Sequence, residues 1–306
     1  MTMKYMMVKI VKRALVAVSV ILILFISVAG YQYLTVALAP EYDSETMTLN
    51  YEVAGSGERN IVLIHGLAGS KNYWKRDLEQ ITGTYRLLLV DLLGFGDSPK
   101  PQSEYTLEIQ LAALENIISK EGFHSGESLI VGHSLGAVLS LALFAKHPDW
   151  FEGATVIGLP VFESKDQFLE QMSGDSFFDK LAVGPYGKLF CMLHPLYIVQ
   201  WFKPKNLTDD VFQDSKKHTW QSYHHSLNEI ILNNDLYRTI ENIRDRKILF
   251  VHGAKDKVAP YVNVENFARS FSQAKLIEVQ DGDHQLFLKE PLEVWKAIDN
   301  FFDEKS

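Results

Sequence analysis

Three side chains far apart in the sequence can together perform nucleophilic acyl chemistry: Ser134, Asp256 and His284. Ser134 is the centre of Gly132-His133-Ser134-Leu135-Gly136, between the apolar run Ser128-Leu129-Ile130-Val131 and a helix-like stretch over 137–147. A serine hydroxyl is a poor nucleophile until it is held clear of its own secondary structure and aimed at a base, and a sharp strand-to-helix turn does both. Such a turn crowds strand against helix, so the residues two before and two after the serine must be small, and both are glycine. The helix that follows also brings free backbone N–H groups beside the hydroxyl, where an oxyanion would form.

The base and the acid are expected after later strands. His284, in Asp281-Gly282-Asp283-His284, follows the last expected strand and stands third in the order Ser, Asp, His. Asp256, in His252-Gly253-Ala254-Lys255-Asp256, lies just past an apolar strand at 247–251 and is the expected orienting acid. Glu163, shortly after an earlier strand, is its competitor. The expected oxyanion donors are the backbone N–H groups of Leu67, in His65-Gly66-Leu67-Ala68-Gly69, and of Leu135. His65, His133 and His252 stand at strand ends and are expected to be structural hydrogen-bonding residues. None of this chemistry calls for a cofactor or a metal ion.

The elements that must position these residues alternate. Strands are expected at 49–53, 60–64, 85–90, 128–131, 154–158, 247–251 and 275–279, and helices at 106–120, 137–147, 261–271 and 291–302. Several strands are continuous apolar runs, as in a sheet covered on both faces. Repeated strand-helix units imply an α/β fold with a mostly parallel, doubly wound sheet. Between 161 and 246 the alternation stops. That stretch is helix-like, broken by Gly174, Gly184-Pro185, Pro195 and Pro204, and carries Phe168, Phe177, Phe178, Tyr186, Phe190, Trp201, Phe202, Trp220 and Tyr223. It is too long for a structureless loop and is expected to be a helical cap over the serine. Its aromatics favour an apolar acyl or aromatic substrate over a sugar or a phosphate. The expected organisation is therefore a membrane segment at 1–40, a core formed by 41–160 and 247–306, and a cap at 161–246.

No charge occurs between Arg13 and Glu41, and 14–29 is almost wholly apolar. At 1.5 Å per residue the charge-free stretch reaches roughly 40 Å, more than the ~30 Å hydrocarbon layer. Lys4, Lys9, Lys12 and Arg13 precede it and Glu41, Asp43 and Glu45 follow. This asymmetry places the N-terminus in the cytoplasm and the rest outside, with Tyr31 and Tyr33 at the interface. The competing expectation is a signal peptide cleaved after Ser27-Val28-Ala29. The chain of 306 residues has a net charge of −8, and its basic excess is confined to the first segment, which argues against a nucleic-acid partner. The single cysteine, Cys191, allows neither an intramolecular disulfide nor a Cys-based metal site.

Taken together, His65-Gly66 after a strand, Asp91-x-x-Gly94-x-Gly96-x-Ser98, Gly132-x-Ser134-x-Gly136, Gly253-x-x-Asp256 and His284 with Glu290-Pro291 resemble the alpha/beta-hydrolase superfamily, in its capped serine-hydrolase form. The resemblance implies a structural role for Asp91 and Asp97. A serine at 134 departs from the dehalogenases and epoxide hydrolases that use aspartate there. Leu67-Ala68-Gly69 and Gln285 depart from the carbon–carbon bond hydrolases, and the loop lacks the tryptophan of the perhydrolases. The expected activity is hydrolysis of a carboxylic ester or thioester. Acyl transfer, carbon–carbon bond hydrolysis and non-catalytic ligand binding are the alternatives.

Overall fold

The computed structural model describes residues 3–162, 164–175, 184, 186–197, 203 and 207–303. Seven strands form one sheet: β1 (Tyr51–Ala54), β2 (Arg59–Ile64), β3 (Tyr85–Val90), β4 (Ser128–His133), β5 (Phe151–Ile157), β6 (Lys247–Gly253) and β7 (Ala274–Val279). Their order is β1-β3-β2-β4-β5-β6-β7, with β1 antiparallel to β3 and every other pair parallel. The expected α/β class and mostly parallel sheet are therefore present.

Alternate residues of each strand point to opposite faces, and the core divides accordingly. Val62, Ile64, Leu88, Val90, Ile130, Ala154 and Phe250 pack on one face beneath α2 (Leu107–Lys120), α3 (Leu135–Lys146) and the helix Tyr261–Ala268. Ile61, Leu63, Leu87, Leu89, Val131, Leu249 and Val251 pack on the other, against Trp74 and the helix Pro291–Asp303. Thr106 caps α2, its hydroxyl accepting the N–H of Ile109. Within the region expected to be a cap, the described helices are Lys165–Asp175, Gly187–Met192, His194–Tyr197, Asp209–Asp214 and Trp220–Ser226, the last running into a π-helical stretch Leu227–Leu232. Glu163, Phe177, Phe178, Pro185, Trp201, Phe202 and Pro204 lie outside the described residues. At the N-terminus a single helix, α1 (Met3–Ala37), is long and apolar enough to cross a membrane from Tyr5 onward.

The turn around Ser134 is tighter than the hydropathy pattern implies. β4 runs on through His133 and α3 starts at Leu135, so one residue separates strand from helix. A Cβ on Gly132 would sit 2.2 Å from the carbonyl oxygen of Gly136, and one on Gly136 would sit 2.2 Å from that of Ile64. No side chain fits at either place, whereas Gly83 has nothing within 4 Å of its own Cβ position. Gly136→Ala is expected to cost roughly 1–3 kcal/mol or more, as overpacking does, and to lower the thermal midpoint by several degrees. Gly83→Ala should leave it within about a degree; thermal unfolding followed by circular dichroism measures both.

Candidate active site

Ser134 sits at the carboxyl edge of β4 with φ 53 and ψ −118, a backbone conformation rare for a residue with a side chain. Its N–H donates to the carbonyl of Ile157 at 2.9 Å, which joins the turn to the end of β5. Asp256 follows β6 and His284 follows β7, so the parallel run β4-β5-β6-β7 delivers all three side chains to one edge. His284 Nε2 lies 3.0 Å from Ser134 Oγ, and His284 Nδ1 lies 2.8 Å from Asp256 Oδ2. With Nδ1–H donated to the carboxylate, Nε2 is left as the acceptor for the serine hydroxyl.

Asp256 is held as an anion. Its side chain is inaccessible to solvent, and burial alone would favour the neutral acid. The attraction of His284 and the hydrogen bonds it receives from His284 and the N–H of Ala259 more than offset burial, so its pKa lies below the ordinary carboxylate range. The N–H of Val258 also donates to it, at 2.9 Å. Gly158 brings bare backbone against the pair: a Cβ there would lie 3.3 Å from His284 Nδ1.

Leu67 lines the cavity above Ser134, and Leu135 supplies the first N–H of α3 directly after Ser134. The loop between β2 and Leu67 touches the serine, since a Cβ on Gly66 would be 3.0 Å from Ser134 Cβ. His65 fixes this loop. Its Nδ1–H donates to the carbonyl of Gly66 at 2.7 Å and its Nε2 accepts the N–H of Leu92 at 3.0 Å. Asp91, fully buried, accepts the N–H groups of Lys71 and Asp97 and the amide of Asn50. Asp97 is instead a surface residue, ion-paired at 2.7 Å with Lys217.

Two supporting features were not legible beforehand. His133, expected to be a structural hydrogen-bonding residue, donates Nε2–H to the backbone carbonyl of His284 at 2.8 Å while its ring stacks on Tyr73, so it holds the loop that carries His284. Asp214, buried in the helix Asp209–Asp214, accepts hydrogen bonds from Ser70 Oγ and Asn72 Nδ2, both at 2.6 Å, tying that helix to the segment after Leu67. A sequence offers no signal for a contact spanning 144 residues. The cavity has a volume of about 300 Å³ and is walled by Phe168, Leu207, Val211, Leu227 and Ile231 from above and by Leu67 and Val258 from the core.

Strand order, turn and edge residues define an alpha/beta hydrolase. Residues 61–297 match the alpha/beta hydrolase family, and the chain belongs to it. The chain is 28% identical over 267 residues to a probable lysophospholipase, BODYGUARD 4, of Arabidopsis thaliana, covering 78% of this chain and 63% of that protein. It is also 28% identical over 258 residues to lipase 1 of Psychrobacter immobilis, covering 77% of this chain and 73% of the lipase. It spans between 54% and 63% of the length of five plant relatives of this kind. A solved esterase from Exiguobacterium antarcticum superimposes with a TM-score of 0.66 at 18% identity, covering 84% of this chain and 96% of the esterase, a likeness of fold alone.

Burial, with the nearby imidazole of His284, pushes His133 down to about 3, and burial with the neighbouring His194 does the same to His218. The unfolded chain, whose histidines titrate near 6.5, therefore binds more protons than the folded chain at any pH between these values. Stability is fully present above about pH 6.5 and falls with pH below it, by roughly 2 kcal/mol per histidine between pH 7 and 5. Denaturant unfolding of the detergent-solubilised chain at the two pH values measures this, and His218→Gln should remove about half of the two-histidine effect.

Proposed function

We propose that this chain is a serine hydrolase that cleaves a carboxylic ester through an acyl-enzyme, with Ser134 as nucleophile, His284 as general base and acid, and Asp256 as the acid that orients His284. The observation that carries the reading is the unbroken relay from Ser134 Oγ through both ring nitrogens of His284 to Asp256, at 3.0 and 2.8 Å. Ser134 Oγ adds to the acyl carbonyl as its proton passes to Nε2, and Asp256 stabilises the imidazolium so formed. The N–H groups of Leu67 and Leu135 receive the negative charge on the former carbonyl oxygen. Collapse expels the alkoxide, which takes the proton from His284 and leaves as the alcohol. Water then repeats the sequence on the acyl-serine and releases the acid.

The apolar walls of the cavity support an apolar acyl or aromatic ester, and a thioester would react by the same steps. The names of the relatives, a probable lysophospholipase and a lipase, point the same way. Residues 161–246 act as the cap that supplies most of those walls. We read α1 as an uncleaved single-pass anchor with the hydrolase on the extracytoplasmic side. Cleavage after Ala29 would cut through the stretch of α1 that packs on the cap, which favours the anchor over a signal peptide.

Ser134→Ala and His284→Ala should each lower kcat by about 10⁴–10⁶, and the double variant should be no worse than either alone, because triad members act as a unit. Only chains that retain Ser134 should take a fluorophosphonate label. Asp256→Asn should lower kcat by up to about 10⁴ with substrate binding largely kept. Across a series of linear acyl esters, each added methylene should raise kcat/KM by up to about fourfold, the equivalent of ~0.8 kcal/mol, until the cavity is filled. Full turnover in Ser134→Ala, or a rate that declines from acetate onward, excludes the mechanism or the acyl pocket respectively.

A further inference from the structure

Residues 5–27 of α1 are exposed along their whole length, and only its last turns are sheltered. The sheltered residues are Val28, Gln32 and Val36, four apart down one face, with Ala29 beside Val28. Val36 is buried with Cys191, Met192 and Trp220, and Ala29 and Tyr223 flank the cluster. The element met by α1 is the cap helix Gly187–Met192.

This contact sets the height of the cap. A hydrocarbon layer of about 30 Å is crossed by roughly 20 helical residues. Counted from Ala14, next to Arg13, such a span ends near Tyr33, between Ala29 and Val36. The cap helix is therefore fastened to α1 at the plane where α1 leaves the bilayer. Tyr186, the residue that precedes this helix, and Leu189 within it are 68% and 49% exposed, and the ammonium of Lys188 lies 4.2 Å from the centre of the Trp220 ring. Large apolar and aromatic side chains beside a cation are what the headgroup layer accommodates. On its inner side, Tyr223 belongs both to the cluster under α1 and to the wall of the cavity above Ser134.

We infer that the cap helix Gly187–Met192 rests in the headgroup layer of the membrane that α1 crosses, and that the cavity takes its ester from that bilayer, the substrate being an amphiphile whose acyl chain is dissolved in it. The inference rests on the anchor and serine-hydrolase readings above. Tyr186 and Leu189 are its contact residues, and neither lines the cavity.

The test uses the full chain reconstituted in phosphatidylcholine vesicles. An environment-sensitive nitrobenzoxadiazole (NBD) dye is placed on Leu189→Cys, with the unsubstituted chain as the background for the buried Cys191. A control dye goes on Glu127→Cys, exposed at the opposite edge of the sheet, just before β4. Doxyl-labelled lipid should quench the dye at 189 at least twofold and leave that at 127 almost unchanged. Equal, weak quenching at both positions overturns the docking surface whatever the activity. Release of the chain by alkaline carbonate overturns the anchor on which the inference rests. In the same vesicles, Tyr186→Asp combined with Leu189→Asp should lower kcat/KM for a long-chain monoacyl ester at least tenfold. Its rate on a water-soluble aryl butyrate should stay within twofold, which also reports an intact fold. Unchanged rates on both esters, or equal losses on both, overturn the bilayer as the source of substrate. If the unsubstituted chain hydrolyses neither ester while position 189 is quenched, the hydrolase reading fails and with it the substrate half of the inference, while the docking surface stands.

Discussion

Everything at the carboxyl edge of the sheet depends on one residue being kept at a positive φ. A residue with a side chain in such a region costs of order 1–3 kcal/mol and stays there only if its surroundings leave no alternative. Ser134 is over-determined in this way. Its N–H is taken by Ile157, its carbonyl accepts from Ala137 and Val138, and the two glycines beside it lock β4 and α3 at a distance no Cβ would allow. The helix cannot relax the turn by fraying, because Leu135 through Ala145 are all buried. The apolar composition of α3 is thus the force that keeps the serine hydroxyl free of its own backbone. Fold stability and the aim of the Ser134 hydroxyl are one quantity at this point.

The electrostatics of the edge follow from burial. Several imidazoles crowd the site, and His133 touches the His284 segment directly, yet desolvation disfavours a proton on His133, His65 and His252 alike. His252 lies only 3.5 Å from Asp256, but its Nε2–H is engaged by the carbonyl of Ala259 at 2.7 Å. A proton taken from Ser134 therefore has one destination, the imidazole that faces the ionised Asp256. The neighbouring histidines serve as neutral donors whose tautomers are fixed by carbonyl partners, and they hold loops in place without competing for the proton.

The meeting of Ser134, Asp256 and His284 was legible because each follows a strand, and in a parallel sheet every strand ends on the same edge. The strand order that makes β4, β5, β6 and β7 neighbours follows from the right-handed crossovers of strand-helix units. What the pattern blurred was the turn itself. Gly136 carries no hydropathy signal, so the helix is read as starting at 137 although it begins at Leu135. Likewise the expected helix over 261–271 ends at Ala268, because apolar Phe271 belongs to the core without being helical. The loss of strand-helix alternation after 161 is visible in the sequence, but the attachments of the helices found there are not. Nothing in the local sequence marks Asp214 as buried, and Ala29 and Val36 belong to the charge-free N-terminal stretch without standing out from it. In each case the contact depends on a partner more than a hundred residues away.

Those attachments explain how the short helices above Ser134 can present a defined wall to the site. Towards the core they are held by polar contacts: buried Asp214 on Ser70 and Asn72, buried Ser222 Oγ donating to the carbonyl of Gly94 at 2.9 Å, and, at the surface, Lys217 between Asp214 and Asp97. A buried hydrogen bond to a charged group contributes about 1.5–3 kcal/mol and is lost if either partner moves away. Away from the core the cap is held by apolar contact with α1, which is non-directional and tolerates sliding. The two kinds of attachment divide the work. Directional bonds seat these helices on the segment that follows Leu67, so that loop and the cavity wall are set together. The apolar contact with α1 can slide without disturbing those bonds.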